Sequence, residues 1–266
     1  TEAVQKMREG SYSHHAEVGG NDEIYDLASE FNAMADRLQT TEEARRRFVS
    51  DASHELKTPL AGIRLLSDSI LQTENMDAQT VREFVGDIEQ ESERLARITE
   101  NLLRLTRLDS GALPEAQEVD IAAVIARVVR MLRLVAEEKQ VDLSYEVRRE
   151  GRTLASEDEL NEIIYNLTEN AIKYNRPGGS VRVCVIQETE KLLIRVSDTG
   201  CGIPDEYQQS IFQPFFRVDK SRSREYGGVG LGLSLVWEIA DLHGGSVWVE
   251  ESSEKGTTIA VELPVQ

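Results

Sequence analysis

The sequence predicts a helical hairpin followed by an α/β sandwich, and three observations carry that prediction. Apolar residues recur at heptad spacing along 48–71 and again along 81–105, as in helices that pack against other helices. The segment SGALPEAQE at 110–118 is predicted to be a linker, because Gly111 and Pro114 interrupt a helix. From residue 119 onward, helical periods and β-rich runs are mixed, which favours a largely antiparallel sheet with helices on one face.

Composition narrows the possible functions of the 266-residue chain. Hydrophobic residues make up 40%, enough to bury a core, and the formal net charge is −18. That acidity argues against non-specific nucleic-acid binding, which needs a basic surface. It also means that any polyanionic ligand must be held by local cations.

Cysteine content and hydropathy bear on the compartment. Cys184 and Cys201 form neither a disulfide framework nor a metal-binding pattern, which fits a reducing environment. The sequence contains no run of about 18 apolar residues, so we expect no transmembrane helix within it. It shows no signal peptide and starts at Thr1 without Met, so we expect a fragment of a longer protein.

The N-terminal 40 residues contain a second apolar repeat. Its members lie three or four residues apart and predict a helix with Asp22 at its start: Ile24, Leu27, Phe31, Met34 and Leu38. The simplest interpretation is a short helical hairpin whose connector holds His14 and His15 in solvent. Nothing interrupts the helical pattern between Leu38 and Phe48, so this helix is expected to run on into the next segment.

The segment 48–71, FVSDASHELKTPLAGIRLLSDSIL, organises the chain. Its heptad seam consists of Val49, Ala52, Leu56, Ile63, Leu66 and Ile70. His54 is predicted to lie off this seam and to face water, with Glu55 beside it and Thr58 one turn further on. Pro59 removes one helix hydrogen bond and is expected to let the helix bend. An exposed imidazole beside a carboxylate is an unusual feature for stability alone.

A second amphipathic helix is predicted after a turn near 74–77. Its stripe consists of Val81, Phe84, Val85, Ile88, Leu95, Ile98, Leu102 and Leu105. The stripe is interrupted around Glu91 and Ser92. Because one hairpin buries each seam poorly, two copies are expected to form a four-helix bundle, so we expect a homodimer.

The remaining chain is predicted to alternate between helices and strands. The predicted strands cover 119–121, 141–147, 181–187, 192–197, 246–250 and 257–263. The predicted helices cover 122–138, 158–174 and 229–242. A long irregular segment is expected from 198 to about 228, and His243 is expected to cap the last helix.

The first polar element of this part is a helix face. Asn166, Asn170 and Lys173 are four and three residues apart, so they share one face. Carboxamide oxygens suit Mg²⁺ and a lysine ammonium suits phosphate. The alternative is a solvated helix face with a capping asparagine.

The second element is DTGCGIP at 198–204. Its alternating glycines allow a close backbone approach to a ligand. Asp198, directly after a predicted strand, is placed to accept a hydrogen bond from an exocyclic amine. The alternative is an ordinary Asp-x-Gly turn.

The third element is the glycine-rich GGVGLGL at 227–233, which opens a helix. Free backbone N–H groups at a helix start favour phosphate. Between the second and third elements lie aromatic and basic residues, where a mobile lid is expected: Phe212, Phe215, Phe216, Arg217, Lys220, Arg222 and Arg224. The alternative is a solvated charge run.

Together these elements resemble the N, G1, F and G2 boxes of the GHKL ATPases, in the family's order. SHELKTPL at 53–60 resembles the H box of sensor histidine kinases, in which the histidine is phosphorylated. NDEIYDLASEFNAMADRL at 21–38 resembles the second helix of a HAMP linker. Two positions depart from the pattern: Tyr25 replaces the usual glycine, and Val229 stands where threonine is common, so a hydroxyl contact is lost if the family uses one there.

The resemblance implies a domain order and an activity. It implies a truncated HAMP linker at 1–40, a dimerisation and histidine-phosphotransfer domain at 41–110, a linker at 111–118 and a GHKL (Bergerat) ATP-binding domain at 119–266. It implies that His54 accepts the γ-phosphoryl group of ATP, that Glu55 assists, and that the group passes to an aspartate of a response-regulator receiver domain. Thr58 completes an E-x-x-T pattern that implies phosphatase activity toward that partner; the alternative is that Thr58 only prepares the bend at Pro59.

The same resemblance implies an ATP and Mg²⁺ site. Asn170 would bind Mg²⁺, with Asn166 beside it, and Asp198 would hold the adenine amine. Further residues would contact or shape the nucleotide site: Lys173, Tyr174, Gly200, Gly202, Ile203, Phe215, Arg217, Gly228, Gly230, Leu231 and Gly232. The fragment would be the cytoplasmic portion of a bacterial membrane receptor with a transmembrane segment upstream, without nucleic-acid or membrane contacts of its own. Two alternatives are a nucleotide-regulated scaffold or phosphatase that autophosphorylates poorly, and a mechanical GHKL ATPase; we expect no transducer domain of the kind that the second alternative needs.

Overall fold

A computed structural model describes residues 6–7, 12, 15–16, 23–109, 117–148, 152–188, 190–218 and 228–264. The chain divides into two compact units, Thr1–Leu65 and Leu66–Gln266. The predicted linker at 111–118 lies mostly outside the described residues, as do Asp22 and His14 of the N-terminal segment.

One helix, α1, spans Glu23–Gln72 and confirms the predicted continuity across 38–48. The polar sequence between those positions supports the helix locally, because Glu42 bonds Arg45 at 2.9 Å and Arg46 at 3.0 Å on the following turn. Ala16, which precedes this helix, is hydrogen-bonded to Asn32 within it. The Asn32 side-chain oxygen accepts the Ala16 N–H at 2.8 Å, and the Asn32 amide donates to the Ala16 carbonyl. Pro59 lies inside α1.

The second helix, α2, spans Ala78–Asp109. Asp77 caps its start: one carboxylate oxygen accepts the N–H groups of Gln79 at 3.0 Å and Thr80 at 2.9 Å. A third bond, from the Thr80 hydroxyl, is the largest cause that lowers the pKa of Asp77, and the two N–H bonds add to it. The predicted turn at 74–77 is therefore confirmed, and its last residue starts the helix.

The α/β part follows with three helices, a two-stranded sheet and a five-stranded sheet. Its elements are β1 (Gln117–Asp120), α3 (Ile121–Glu138), β2 (Asp142–Arg148), β3 (Arg152–Ala155), α4 (Glu157–Lys173), β4 (Ser180–Gln187), β5 (Lys191–Asp198), α5 (Gly232–Leu242), β6 (Ser246–Ser253) and β7 (Gly256–Pro264). The large sheet has the order β2-β4-β5-β7-β6, in which only the β2–β4 pair is parallel. This confirms the predicted mixed architecture.

The core of this part lies between the sheet and the three helices. Alternate residues of β4 are fully buried, as in Val181, Val183 and Val185, while Arg182 between them is exposed. Helix α3 packs on β2, α4 on β4 and β5, and α5 on β6 and β7. One sheet face is therefore covered by helices, as the alternating pattern predicts.

Helix α2 also contacts this part of the second unit. It packs against α5, and Leu108 near its end packs against the core cluster. Arg104 on α2 forms an ion pair with Glu162 on α4 at 2.5 Å and a longer one with Glu100 at 3.5 Å. The last turns of α2 therefore make contacts both within the helix and with the α/β part.

Two details differ from the predicted elements. Strand β3 was not predicted, because its four residues are too few to show a period; it pairs antiparallel with β1. Helix α5 begins at Gly232, three residues later than predicted, since Gly230 has a φ of 78° that an α-helix cannot continue. The irregular segment after β5 contains two short 3₁₀ turns, Asp205–Tyr207 and Ser210–Phe212.

The described residues include no helix that is both long and apolar enough to cross a membrane. Both cysteines are free thiols: Cys184 is half-buried on β4, and Cys201 is exposed.

Candidate functional site

The His54 side chain is exposed on helix α1, whereas its seam neighbours Ala52 and Leu56 are half-buried. The prediction that His54 lies off the seam is therefore confirmed. No described residue hydrogen-bonds its ring. The imidazole thus faces solvent.

Two neighbours of His54 differ in their surroundings. Glu55 is half-buried, and Thr58 is exposed. The Thr58 hydroxyl donates to the His54 carbonyl oxygen at 3.2 Å, a local bond that serine and threonine often make one turn back along a helix. This bond occupies the proton of the hydroxyl and leaves its oxygen lone pairs available to accept.

Asp198 ends strand β5 and is held by backbone donors. Its Oδ1 accepts the N–H of Gly200 at 2.7 Å and the N–H of Thr257 at 3.3 Å. Burial raises the pKa of Asp198, and the two N–H groups oppose part of that rise. No described residue bonds its other carboxylate oxygen. Asp198 therefore has one oxygen fixed by the fold and a second one available to a ligand.

The glycines after Asp198 are required by the fold itself. A Cβ on Gly200 would strike the Tyr174 carbonyl, and a Cβ on Gly202 would strike the carbonyl of Ser253. Gly202 also has a φ of 74°, in the left-handed region. The close backbone approach predicted for a ligand is thus, in these two places, an approach to the protein backbone. The next residue, Ile203, donates its N–H to the Ser252 hydroxyl at 2.7 Å.

The asparagines of helix α4 share one face, as their spacing predicts, but have different surroundings. The Asn166 amide donates to the Glu162 carbonyl at 2.9 Å, and its Oδ1 lies 2.6 Å from where a Gly232 Cβ would be. Asn166 therefore sits at the contact between α4 and the start of α5. Asn170 is half-buried, and no described residue bonds its side chain. Its carboxamide oxygen is the available ligand on this face.

Two cations lie near each other at the end of α4. Burial, followed by the charge of Arg217, lowers the pKa of Lys173 to about 8. The Lys173 ammonium lies 5.1 Å from the centre of the Tyr174 ring, a cation–π contact, and it would collide with a Cβ on Gly228. No described carboxylate forms an ion pair with Lys173. The site therefore holds positive charge in a partly dry place.

Arg217 connects the aromatic segment to the glycine-rich segment. Its Nη1 donates to the Gly228 carbonyl. Burial raises the pKa of Tyr174, and the nearby Arg217 opposes that rise. This contact brings Arg217 and the glycine-rich segment together; that both face the phosphates of a nucleotide stays a prediction. Gly227, Lys220, Arg222 and Arg224 lie outside the described residues.

The glycine-rich segment packs directly on the aromatic one. The Phe215 N–H donates to the Gly230 carbonyl at 2.9 Å, and a Cβ on Gly230 would lie 2.8 Å from the Phe216 carbonyl. Phe215 is buried and has a φ of 63°. Leu231 is fully buried just before α5, and no side chain caps that helix. The first N–H groups of α5 therefore have no side-chain acceptor among the described residues.

Two residues of the Asp198 region were missed by sequence reasoning. Thr257 is buried and donates its N–H to Asp198 although the two are 59 residues apart. Thr199 accepts the Ser180 N–H at 2.8 Å and donates to Asn175 at 3.2 Å. The only sequence signal is the Gly-Thr pair that opens β7, which is too common to single out. His243 is the C-cap residue of α5, as expected, and its ring also pairs with Glu159 at 2.7 Å.

Family models match three successive stretches of the chain. Residues 1–40 match the HAMP domain, 44–111 the His Kinase A (phospho-acceptor) domain, and 155–266 the histidine kinase-, DNA gyrase B-, and HSP90-like ATPase. The site residues described above on α4, β5 and α5 fall within the third stretch, and His54 falls within the second.

Two curated relatives are both named as sensor or sensor-like histidine kinases. The sensor-like histidine kinase SenX3 of Mycolicibacterium smegmatis is 35% identical over 84% of this chain and 58% of its own length. The sensor histidine kinase YclK of Bacillus subtilis is 33% identical over 99% of this chain and 57% of its own length. The chain thus spans somewhat more than half the length of these relatives.

Solved structures show the same fold. The catalytic domain of the histidine kinase ThkA is 28% identical with a TM-score of 0.51, over 57% of this chain and 96% of that chain. A structure of ThkA in complex with the response regulator protein TrrA has a TM-score of 0.66 at 22% identity, over 93% of this chain and 68% of that chain, and it supports the fold alone.

Proposed function

The chain belongs to the two-component sensor histidine kinases, and on that premise we propose that it is a protein-histidine kinase that transfers the γ-phosphoryl group of ATP to its own His54. The observation that carries the proposal is the pair of cations Lys173 and Arg217 beside the glycine-rich segment. The chain has a net charge of −18, so this pair places local positive charge in an acidic protein.

The energetics of this pair favour a polyanionic ligand. Burial, and after it the charge of Arg217, lowers the pKa of Lys173, so part of the cost of charging this ammonium is repulsion between two like charges in a partly dry place. A triphosphate would relieve the repulsion and restore the full charge of Lys173. The uncapped start of α5 adds N–H donors and the positive end of a helix dipole. These local cations and N–H donors would therefore favour binding of the ATP phosphates despite the negative charge of the whole chain.

Base recognition is proposed for Asp198. Its available carboxylate oxygen would accept a hydrogen bond from the adenine amine, while Oδ1 stays bonded to Gly200 and Thr257. The other proposed site residues are those that line or shape this region: Asn166, Asn170, Lys173, Tyr174, Gly200, Gly202, Ile203, Phe215, Arg217, Gly228, Gly230, Leu231 and Gly232.

Mg²⁺ fits this site through Asn170. Its carboxamide oxygen has no described partner, and the described residues contain no cluster of three His, Cys, Asp or Glu side chains that could hold a metal. A magnesium ion that takes one protein oxygen and completes its shell with phosphate oxygens and water matches such a site. When bound, the ion supplies neutralisation of phosphate charge.

The transfer to His54 needs a neutral imidazole. One ring nitrogen donates its lone pair to the γ-phosphorus, the bond from that phosphorus to the β,γ-bridging oxygen breaks, and ADP leaves with the electron pair. The other ring nitrogen keeps its proton, and we assign Glu55 to accept that N–H and to stabilise the charge that develops on the ring. The exposure of His54 leaves its ring accessible to a donor and to a partner protein.

Two further steps are proposed: transfer of the phosphoryl group to a partner protein, and hydrolysis of the phosphate on that partner. The acceptor would be an aspartate of a response-regulator receiver domain that docks around His54. Thr58 would orient a water against the phosphorylated partner by accepting a hydrogen bond from it. Its hydroxyl oxygen can do so while its proton stays on the His54 carbonyl.

The proposed organisation follows the domains of the family. Residues 1–40 would be a HAMP linker, 41–110 a dimerisation and phosphotransfer domain, 111–118 a linker and 119–266 the catalytic ATP-binding domain. The chain would act as a homodimer, because helices α1 and α2 leave large apolar side chains such as Leu60, Leu71 and Leu103 more than half exposed. It would form the cytoplasmic part of a membrane receptor.

Incubation with Mg²⁺ and ATP labelled on the γ-phosphate tests this proposal. We expect label on the chain that is stable in alkali and lost in acid, as for a phosphoramidate, and that moves to an added receiver domain. Nucleotide binding without any label would contradict kinase activity and support a regulated scaffold or phosphatase instead.

A further inference from the structure

Helix α2 is held beside the start of α4 by an ion pair. Arg104, near the end of α2, pairs with Glu162 on α4 at 2.5 Å. The bond to Glu162 raises the pKa of the Arg104 guanidinium, and the charge of Asp158 adds to that rise. Helix α2 also packs against α5, the neighbour of α4. The end of α2 therefore lies against the first turns of α4.

The side of α4 that carries Glu162 changes the sign of its charge along the helix. Its charged residues are four, seven and four positions apart, which keeps them on one side: Asp158, Glu162, Glu169 and Lys173. The first turns are acidic and meet an arginine of α2. The last turn ends in Lys173, whose ammonium lies beside Gly228 of the glycine-rich segment.

Arg97 of α2 lies near the basic end of this side. It comes seven residues before Arg104, which is two helical turns and about 10.5 Å along the same face. Burial raises the pKa of Tyr165, and the charge of Arg97 opposes that rise. Burial and the charge of Arg217 lower the pKa of Lys173, and the charge of Arg97 adds to that effect. Since Arg104 meets the start of α4 and Arg97 its later turns, the two helices run antiparallel.

Arg97 brings a positive charge that the described part of the chain does not neutralise at ion-pair distance. Its side chain is exposed, and no described carboxylate forms an ion pair with it. Glu169, the acid on this side of α4, accepts a hydrogen bond from the Tyr165 hydroxyl at 3.3 Å. Together with Lys173 and Arg217, Arg97 gathers three like charges in one region of an acidic chain. Such a cluster favours a ligand with several negative charges.

We propose that Arg97 is a third phosphate-binding cation of the ATP site, and that helix α2 supplies it from outside the α/β part. This inference rests on the proposed binding of ATP phosphates by Lys173 and Arg217. A guanidinium bonds two phosphate oxygens at once, and an exposed arginine side chain is long enough to turn toward them. The matching ligand is a nucleoside triphosphate, whereas a nucleoside without phosphates offers Arg97 nothing to bind.

ATP and the packing of α2 would then strengthen each other. Phosphates that bond Arg97 favour the arrangement in which α2 lies against α4 and α5. That arrangement in turn raises the affinity for ATP, because a coupling free energy is the same in both directions. The ion pair with Glu162 holds α2 in place, so Arg104 is a positioning residue for Arg97. Helix α2 thereby responds to whether the phosphate site is filled.

Binding of ATP and of adenosine to Arg97→Gln tests the direct contact. In the full chain, this variant should bind ATP at least about fivefold more weakly than the wild type, because a charge-assisted bond to phosphate is lost, and should bind adenosine unchanged. Arg82→Gln provides the matched control. It removes the same charge from an exposed position of α2 about 22 Å before Arg97, so both affinities should stay unchanged. Calorimetric titration measures ATP, and displacement of ATP measures adenosine.

A charge swap tests the positioning by Arg104. Arg104→Glu places like charges opposite Glu162, so it should weaken ATP binding about as much as Arg97→Gln, and the two losses should not add in the double variant. Exchange of both partners, Arg104→Glu with Glu162→Arg, restores opposite charges and should return the ATP affinity to within about twofold of the wild type. Arg104→Gln provides a milder variant if a reversal unfolds the chain, which urea unfolding checks.

Three results overturn the inference and leave the proposed function intact. An unchanged ATP affinity of Arg97→Gln would show that Arg97 does not reach the phosphates. Equal losses for ATP and adenosine would show that the substitution disturbs the whole site and not a phosphate contact. Additive losses of Arg97→Gln and Arg104→Glu would contradict positioning of one residue by the other. A wild-type chain that binds no ATP would be a separate failure, because it contradicts the proposed function itself.

Discussion

Replacing Asp198 by asparagine separates two functions of one side chain. Oδ1 bonds the backbone of Gly200 and Thr257, and the other oxygen is assigned to the adenine amine. An asparagine can keep its Oδ1 in place and continue to accept both N–H groups. The substitution then puts an NH₂ group where the second oxygen was, so that a donor faces the amine of adenine, which is also a donor.

The size of the effect follows from these bonds. A hydrogen bond to a charged group contributes about 1.5–3 kcal/mol, so Asp198→Asn should weaken ATP binding by roughly 10- to 150-fold in Kd. The fold should lose less than about 1 kcal/mol, because both backbone bonds keep an acceptor. Binding and folding should therefore respond very differently to the same change.

Inosine triphosphate provides the matched ligand for this experiment. Its base carries an oxygen where adenine carries the amine, so it should bind Asp198→Asn better than it binds the wild type. Calorimetric titration of both proteins with both nucleotides measures the four affinities, and urea unfolding measures the stability. Equal losses for the two nucleotides would refute a direct contact between Asp198 and the base, and an unchanged ATP affinity would refute any role in binding.

Three further predictions concern separate residues. The pKa of Lys173 is about 8, and a bound triphosphate should raise it, so ATP affinity should fall as pH rises through 8. At pH 8, binding should take up as much as about half a proton, which calorimetry in buffers of different ionisation enthalpy measures. Zero proton uptake would contradict this prediction. In urea unfolding, Gly202→Ala should destabilise the fold by about 1–3 kcal/mol, because the added Cβ meets the Ser253 carbonyl at a residue with positive φ. Gly86→Ala, whose Cβ would lie in open space on α2, should instead stabilise the fold by about 0.5–1 kcal/mol. Similar effects of the two substitutions would contradict this prediction. Thr58→Ala should keep autophosphorylation within about twofold and slow dephosphorylation of the partner receiver by at least about tenfold, and an unchanged dephosphorylation rate would reject its assigned role.

Local patterns in the sequence were sufficient for most elements of the fold. The heptad stripes predicted α1 and α2, and α1 continues through 38–48 because no residue there breaks a helix. Strand β3 could not be predicted in the same way, since its partner β1 lies more than thirty residues earlier and four residues carry no period. Helix α5 was predicted three residues too long because the positive φ of Gly230 comes from its packing against Phe216.

The candidate site was predictable in its residue types and less so in its contacts. The spacing of Asn166 and Asn170 placed both on one face of α4, but only the structure shows that Asn166 packs against Gly232 while Asn170 has an available side chain. Thr257 reaches Asp198 from the neighbouring strand β7, which is adjacent to β5 in the sheet although it lies 59 residues further along the chain. Such contacts between distant segments depend on tertiary packing, which local periodicity does not encode.

Replacing His54 shows whether this residue accepts the γ-phosphoryl group of ATP. The wild type, His54→Gln and the control His243→Gln would each be incubated with Mg²⁺ and ATP labelled on the γ-phosphate, after equal nucleotide affinity has been verified. We predict acid-labile label on the wild type and on His243→Gln, whose pair with Glu159 lies at the end of α5, and none on His54→Gln. Label of the same stability on His54→Gln would contradict the assignment of His54 as the phosphoacceptor.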